Sequence, residues 1–398
     1  MTARTTVVGP EVAEARRASR DRHPTARPRR RARRPPAPPQ FFALAFLVAL
    51  LTLFGLVMVL SASSISAIHA GRSGWTLFLR QATWAVLGAV ALFVGLRIPQ
   101  RVLRRLLPLG MFVTLALLLA VLVPGLGSRV NGARAWFVFG PISLQPAEIA
   151  KLVLVVYCAD LFARRADRMH EVRATLWPAL LVLGGAGLLV MVQPDLGSVL
   201  VMASIVLAVA FIGGSPLVPL AGTVGMVGTI GAIFTLSAAY RRDRWLAFMN
   251  LAKLKDNQGW QVWQSLVGIA SGGITGVGLG ASKAKWGFLP EAHTDFIFAI
   301  IAEELGFIGV VAVVLLFILF GLFGMQVALR ASDRFGMLLA GGITAWLLVQ
   351  AIINIGGVVG IMPLTGLTLP FVSFGGSSLL VTMTAAGLLL NVARTASR

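Results

Sequence analysis

Residues 290–328 read PEAHTDFIFAIIAEELGFIGVVAVVLLFILFGLFGMQVA, and this stretch decides the fold class. From residue 297 onward the run is almost entirely apolar, and it exceeds the roughly 20 residues that an α-helix needs to cross a bilayer. Glu303 and Glu304 interrupt it, and ionisable groups at membrane depth are costly and usually paired or functional. The stretch therefore predicts a membrane-spanning helix that begins just after Asp295. We expect its two adjacent glutamates to be paired with other groups or to have a function.

The whole chain has the composition of a membrane protein. It has 398 residues, of which 57% are hydrophobic and 13% charged, with a mean hydropathy of +0.85. A soluble domain carries about 25% charged residues, so that class is excluded, as is disorder over most of the chain. We predict an all-α polytopic membrane protein with about ten transmembrane helices, because backbone groups in lipid must be hydrogen-bonded within each segment. The predicted runs lie at 41–63, 77–96, 106–124, 147–163, 175–193, 197–213, 217–238, 297–328, 336–359 and 377–393.

A basic, proline-rich segment opens the chain. Residues 1–40 cannot bury a core, so we predict a disordered cytoplasmic tail there, followed by a transmembrane domain over residues 41–398. The net charge of +20 thus indicates attraction to the cytoplasmic leaflet, or a docking segment for cytoplasmic partners, and we expect no nucleic-acid partner. Basic connections alternate with weakly charged ones, which predicts that both chain ends are cytoplasmic.

The connection over residues 239–296 is much longer than the others. By the same alternation it is a large extracytoplasmic loop, and loops of this length are usually functional. It is rich in basic residues, although the positive-inside rule expects few of them on the outer side. Because Lys and Arg recognise phosphate, we expect an anion ligand near Lys283 and Lys285, with Arg134 in another outer connection as a third candidate.

Asp295 stands where this polar loop becomes an apolar helix. A carboxylate at such a boundary is partly desolvated, which raises its pKa and suits a proton acceptor, although Asp is also a favoured helix N-cap. His293, two residues earlier, could orient or share a proton, or be an ordinary loop histidine. The single cysteine and four scattered histidines argue against a cysteine-based metal site or a zinc protease.

Three further polar features lie at or near the ends of apolar runs. Glu148 and Lys151 stand at i and i+3, so they either neutralise each other or line the floor of a polar cavity. Asp195 lies in an outer turn, where it caps a helix or contributes to a site. The Pro-, Gly- and Ser-rich segment 363–378 breaks a helix; it is either a tight outer loop or an anion cradle that includes Ser377.

Together these segments resemble the SEDS family (shape, elongation, division and sporulation) of polytopic peptidoglycan glycosyltransferases. The resemblance runs from about residue 41 to the C-terminus, and residues 282–292 and 365–370 are closer to the division-septum branch than to the elongation branch. Two departures are Phe374, where the family usually has Tyr, and Ala302, where Gly is usual. The matching segments are 131–136, 145–148 with Lys151, 193–197, 290–299, 303–306, and 363–378 with Asn354 before it.

The resemblance implies a reaction and its site. The substrate would be lipid II, in which the GlcNAc 4-hydroxyl of one molecule attacks the anomeric carbon of another's MurNAc, with inversion. Asp295 would be the catalytic base, or the ligand of a divalent cation, Mg or Mn, that bridges the phosphates. Substrate binding would fall to the cationic candidates, with the remaining polar residues in supporting roles. These residues are Lys283, Lys285, Arg134, Glu148, Lys151, Asp195, His293 and Ser377.

The resemblance also implies partners and a place in the cell. These are a class B penicillin-binding protein, which is a transpeptidase, and other divisome membrane proteins, at the division septum of the bacterial cytoplasmic membrane. A lipid II flippase and a non-catalytic divisome scaffold are the alternatives. Asp295 in an outer loop beside cations favours chemistry at the outer face, since a flippase would place its key charges near the midplane.

Overall fold

The computed structural model describes residues 2, 38–69, 71, 73–130, 132–140, 142–237, 239–257 and 259–396. The predicted disorder of the tail therefore concerns residues that, for the most part, lie outside the described ones. The first helix begins at Pro39, two residues before the predicted start of the transmembrane domain.

Thirteen α-helices occur in this described part of the chain, and ten of them are long. Each long helix coincides with one predicted apolar run, so the all-α polytopic class is confirmed. The helices are α1 (Pro39–His69), α2 (Thr76–Arg97), α3 (Gln100–Ala120), α4 (Pro146–Arg164), α5 (Leu176–Val192), α6 (Leu196–Ile212), α7 (Leu217–Leu236), α8 (Ala239–Met249), α9 (Leu251–Leu254), α10 (Trp260–Gly272), α11 (Ile297–Leu329), α12 (Arg334–Val358) and α13 (Gly376–Thr395).

The long helices differ in how clearly their length and composition identify them as membrane spans. Seven of those described are long and apolar enough to cross a bilayer by length and composition. Helices α5 and α6 are equally apolar but have only 17 residues each. Helix α4 carries four charged residues, yet most of its length is buried among other helices. Its charges are tolerated because they are paired: Glu148 with Lys151 in the interior, and Asp160 with the exposed Arg164 at the end of the helix.

A small antiparallel sheet, which the sequence analysis did not predict, precedes α4. Its strands are β1 (Ser128–Val130), β2 (Ala133–Phe139) and β3 (Ile142–Leu144), in the order β1-β2-β3. Along β2 the buried Ala135 and Phe137 alternate with the half-buried Arg134 and Trp136, as expected for a strand with one face inward. The sheet therefore fixes the position of Arg134 in the connection that leads into α4.

Helix α11 is broken at Gly306, where φ is 64° and ψ is −162°. Residues 273–278 fill the break: their N–H groups donate to the carbonyls of Glu303 and Glu304 at 3.0 and 3.1 Å. In return, carbonyls of the same segment accept from the two N–H groups that follow Gly306, at 2.9 and 3.2 Å. A broken helix is stable in this setting because other backbone supplies the hydrogen bonds that the break removes. The loop over residues 239–296 is thereby joined to α11 about two turns beyond its start.

Replacing Gly306 by alanine tests this junction. A Cβ atom there would lie 2.3 Å from the backbone N of Gly276, and the positive φ disfavours any L side chain. We expect Gly306→Ala to lower the free energy of unfolding by about 3 kcal/mol or more, from backbone strain and overpacking. Thermal unfolding of the detergent-solubilised protein measures it. The control is Gly228→Ala in α7, where nothing lies within 4 Å, and equal stability of the two variants would contradict the prediction.

Candidate functional site

The segment 363–378 runs through the protein without forming a helix until α13 begins at Gly376. Residues 369–373 in its centre are buried. Buried backbone groups need hydrogen-bond partners, and a segment of this shape cannot supply all of them itself. Side chains from other elements do so, and they are the polar residues that interrupt the apolar helices.

Two buried amides on α12, one helical turn apart, hold this segment. Asn354 Nδ2 donates to the carbonyl of Leu367 at 2.6 Å and to the carbonyl of Asp295 at 2.8 Å. Gln350 Nε2 donates to the carbonyl of Thr368 at 3.0 Å. The sequence analysis missed Gln350, although an amide within an apolar run was a usable signal. Through Asn354, the backbone of Asp295 is fixed to the 363–378 segment.

Asp295 is half-buried, and its carboxylate lies beside the exposed Gly366. A Cβ atom placed on Gly366 would be 3.5 Å from Oδ2 of Asp295, so the absence of a side chain there leaves room next to the acid. The alternative that Asp295 caps the helix is not what the structure shows. Phe296 occupies the N-cap of α11, and no side-chain cap hydrogen bond is made there.

The residues before Asp295 are bound to the start of α13. Ser373 Oγ donates to the carbonyl of Thr294 at 2.7 Å, and the backbone N–H of Phe374 donates to the carbonyl of His293 at 2.9 Å. The rings of His293 and Phe374 lie 5.4 Å apart. Burial lowers the pKa of His293, and the nearby Glu291 carboxylate opposes this only in part. His293 is therefore a neutral, packed imidazole near pH 7.

Glu148 and Lys151 form a buried ion pair, with 2.7 Å between Oε1 and Nζ. Their side chains are 4% and 0% exposed, so the pairing alternative is the one that the structure shows. Lys151 also donates to Oε1 of Gln350 at 3.0 Å, which links the pair to the amide that holds Thr368. Among the described residues, Oε2 of Glu148 has no hydrogen-bond partner.

Asp195 is the N-cap of α6, as one of the two sequence interpretations expected. Its carboxylate accepts from the N–H and the hydroxyl of Ser198 at 2.9 and 2.7 Å. It also accepts from Nε2 of Gln145 at 3.0 Å, which ties the start of α6 to the start of α4. Asp195 thus joins two helices, in addition to capping one.

Ser377 is buried, and its hydroxyl accepts from the backbone N–H of Gln145 at 3.2 Å. The hydroxyl is thus turned toward the protein, and contact of Ser377 with a bound anion stays a prediction. Its observed contact joins α13 to the start of α4. Ser377 therefore connects segment 363–378 to the start of α4.

Lys285 is buried as well. Its ammonium lies 2.8 Å from Oε1 of Glu304, and the two side chains are 1% and 0% exposed. Ser61 on α1 donates to both carboxylate oxygens of Glu304, at 2.7 and 2.6 Å. The charge of Lys285 is thus buried and already paired, whereas diphosphate binding by this residue stays a prediction. The pair attaches the loop over residues 239–296 to α11 and α1.

Glu303 accepts hydrogen bonds from the loop that carries Lys283. They come from the Ser282 hydroxyl at 2.5 Å and from the backbone N–H groups of Lys283 and Ala284 at 2.8 and 3.3 Å. Lys283 itself is exposed. The two adjacent glutamates therefore have different roles. Glu303 accepts hydrogen bonds from the backbone at the exposed Lys283, and Glu304 neutralises the buried Lys285.

Arg134 is half-buried on β2 and donates from Nη1 to the carbonyl of Leu122, beyond the end of α3, at 3.2 Å. Its Nε is buried and, among the described residues, has no hydrogen-bond partner. The same residues contain no group of three or more His, Cys, Asp or Glu side chains that could hold a metal ion.

Removal of the Lys285 ammonium should be far more damaging than removal of an exposed one. Lys285→Ala leaves the Glu304 carboxylate buried and uncompensated, which we expect to lower the free energy of unfolding by about 3–5 kcal/mol. Adding Glu304→Gln should restore part of the loss. The control, Arg168→Ala, breaks the exposed Arg168–Glu171 pair and should change little. Equal losses for both single variants, measured by thermal unfolding, would contradict the assignment.

The lowered pKa of His293 predicts a pH-dependent stability. The folded protein binds this proton less readily than the unfolded chain does, so the stabilisation is complete above the ordinary pKa of 6.5 and decreases as pH falls below it. His293→Gln removes this titration. Its unfolding temperature should therefore gain on the wild type between about pH 7 and pH 5. A difference that stays constant with pH would refute this; His170→Gln, at an exposed histidine, controls for loss of an imidazole.

Comparison with known proteins places these features in a wider group. The sequence profile of the cell cycle proteins FtsW, RodA and SpoVE matches residues 42–398. The chain is 41% identical to the probable peptidoglycan glycosyltransferase FtsW of Mycobacterium tuberculosis over 354 residues, which cover 89% of this chain and 68% of that protein. It is 38% identical to the stage V sporulation protein E of Bacillus subtilis, over 88% of this chain and 96% of that protein.

Solved structures agree with the sequence relatives. A chain from a peptidoglycan synthase complex that coordinates polymerization and crosslinking superposes with a TM-score of 0.73 at 34% identity, covering 89% of this chain and 97% of its own. The rod shape determining protein RodA of Thermus thermophilus gives a TM-score of 0.67 at 31% identity, with 90% and 97% coverage.

Proposed function

Because the chain belongs to the family of the cell cycle proteins FtsW, RodA and SpoVE, we propose that it polymerises lipid II into glycan strands with Asp295 at its reactive centre. It is a peptidoglycan glycosyltransferase and a multi-pass membrane protein. The observation that carries the proposal is the placement of Asp295. Asp295 is half-buried, its backbone carbonyl accepts from Asn354, and its carboxylate lies beside the bare backbone of Gly366.

The reaction transfers one proton and breaks one bond. The 4-hydroxyl of the acceptor GlcNAc attacks the anomeric carbon of the donor MurNAc, and the bond from that carbon to the lipid diphosphate breaks. The Asp295 carboxylate accepts the hydroxyl proton, so that the attacking oxygen becomes a stronger nucleophile as the new bond forms. The space over Gly366 is where the acceptor sugar approaches the acid. Attack opposite the leaving group inverts the anomeric configuration.

Negative charge gathers on the departing diphosphate, and a cation has to stabilise it. Lys283 is the principal candidate, because its side chain is exposed while Glu303 fixes its backbone from below. Arg134 is the second candidate, held in place by β2. Lys285, paired with Glu304, acts only by supporting the loop.

The remaining polar residues act through the 363–378 segment. The Glu148–Lys151 pair supports Gln350, and Asp195 and Ser377 both bind Gln145. His293 packs against Phe374 and helps to hold the turn before Asp295. We assign all of them to positioning, with the substrate contacts left to Asp295 and the exposed cations.

A divalent cation, Mg or Mn, fits this site only if the substrate phosphates supply ligands in addition to Asp295. Asp295 alone offers one carboxylate, and magnesium is commonly held by one or two carboxylates together with substrate phosphates. When bound, such an ion would neutralise charge on the diphosphate. Asp295 would be its protein ligand, with Lys283 close in sequence as a further cation.

We propose a class B penicillin-binding protein, which cross-links the new strand, as the main partner, together with other divisome membrane proteins. The similarity to a chain from a complex that coordinates polymerization and crosslinking supports this. The FtsW-named relatives favour the division septum as the site of action, and the alternation of charge favours a cytoplasmic N- and C-terminus with residues 239–296 outside. The glycosyltransferase names of these relatives favour the enzyme over the flippase and the scaffold.

Asp295→Asn tests the reactive centre. The amide keeps the size of the side chain but does not accept the proton, so we expect at least a 100-fold loss of glycan polymer formed from labelled lipid II. The assay uses the purified full chain with its transpeptidase partner, and unfolding temperature confirms that the variant is folded.

Asp256→Asn, at an exposed acid of the same loop, is the matched control and should keep full activity. Normal polymer formation by Asp295→Asn would overturn the proposal. Titration with EDTA and then Mg or Mn distinguishes the two roles of Asp295. An activity that survives EDTA supports the base, and a metal affinity that is lost with Asp295 supports the ligand.

A further inference from the structure

Helix α8 (Ala239–Met249) carries an apolar surface that faces away from the protein. Trp245, Leu246 and Met249 are 43%, 42% and 65% exposed. Their spacing of three and four residues places them on one side of the helix. Ala247, on another side, is 4% exposed and packs inward. Three large apolar side chains on one exposed helix face indicate that another surface covers them.

The position of α8 indicates what that surface is. Helix α8 begins three residues after the end of α7, which is long and apolar enough to cross the bilayer. Only Leu220 and Thr223 of α7 are buried, so this helix lies at the rim of the bundle and most of its apolar surface faces away from the protein. The last turns of α7, at Ile233 and Leu236, are 64% and 62% exposed. Helix α8 therefore starts next to apolar side chains that the described part of the protein leaves largely exposed, as expected for a helix surface in contact with lipid.

The charge of the same stretch is complementary to an anionic bilayer. Residues 239–255 contain five basic residues and one acidic residue, Asp243, which is a net charge of +4. Arg242 is exposed and lies one helical turn before Trp245, so it is on the apolar side. A basic helix with Trp and Leu on its outer face is typical of helices that lie in the membrane interface. The basic residues are Arg241, Arg242, Arg244, Lys253 and Lys255.

We propose that α8 lies in the plane of the outer membrane interface and binds anionic phospholipid. Trp245, Leu246 and Met249 enter the acyl boundary, and Arg242 binds the phosphate of a lipid such as phosphatidylglycerol. This contact holds one end of the loop 239–296 at a fixed height above the bilayer. The loop that carries Lys283 thereby stays at the level at which a membrane-bound substrate presents its diphosphate. The lipid contact itself does not depend on glycosyl transfer.

A spin label on α8 tests the depth directly. The single cysteine, Cys158, is buried and is replaced by alanine; a nitroxide is then attached at Met249→Cys in the full chain. Asn257→Cys, at an exposed position of the same loop, is the matched control. In liposomes containing phosphatidylglycerol, we expect the label at 249 to be accessible to oxygen and shielded from a water-soluble nickel chelate. The label at 257 should show the reverse.

A second comparison tests the lipid class. In liposomes of phosphatidylcholine alone, or with Arg242→Glu, the inserted population at 249 should fall about fivefold for each basic residue that loses its attraction to a net-anionic lipid surface. This factor corresponds to about 1 kcal/mol per basic residue near an anionic surface. Nickel accessibility at 249 equal to that at 257 would overturn the proposal. Protection of 249 that appears only when the transpeptidase partner is added would assign the face to that protein and would also overturn it. An unchanged depth in phosphatidylcholine would overturn the choice of anionic lipid.

Discussion

Buried backbone that is not helical must be hydrogen-bonded, and in this protein that constraint falls on residues 363–378. Gln81 on α2 donates to the carbonyl of Ser373 at 3.1 Å and accepts from the N–H of Gly375 at 3.3 Å. Asn354 and Gln350 satisfy carbonyls on the other side of the segment. Each of these amides interrupts an otherwise apolar helix, and each is explained by the backbone that it serves. The backbone of Asp295, beside this segment, is positioned by its hydrogen bond with Asn354.

Two buried ion pairs extend the same support to the surrounding elements. Lys151 of the Glu148–Lys151 pair donates to Gln350, and Glu304–Lys285 joins the loop over residues 239–296 to α11 and to Ser61 on α1. Buried pairs of this kind are weak contributors to stability, but breaking one leaves a buried charge that is costly. They therefore select one arrangement of loop and helices over others. The side chains left near the surface, including Lys283, are those that can meet a charged substrate.

The sequence analysis succeeded where the signal is local. The ten long helices were predicted because apolar runs of sufficient length have one stable structure in lipid. The position of Asp295 was predicted because a boundary between a polar loop and an apolar run is visible in a few residues. Strands β1 and β3 were missed because each has only three residues. The break at Gly306 was missed because residues 273–278, about thirty positions earlier, supply its hydrogen bonds.

Length, hydropathy and motif order by themselves thus determined the class of the protein and the places of its helices, with Asp295 at the start of one of them. Only the tertiary structure decided which charges are available. Lys283 and Lys285 are two residues apart and chemically alike, yet one is exposed and the other is buried against Glu304. The sequence could not distinguish them, because Glu304, the partner of the buried Lys285, lies on α11 and neither lysine does. The free energy of a charge depends on what surrounds it in space, which neighbours in sequence do not specify.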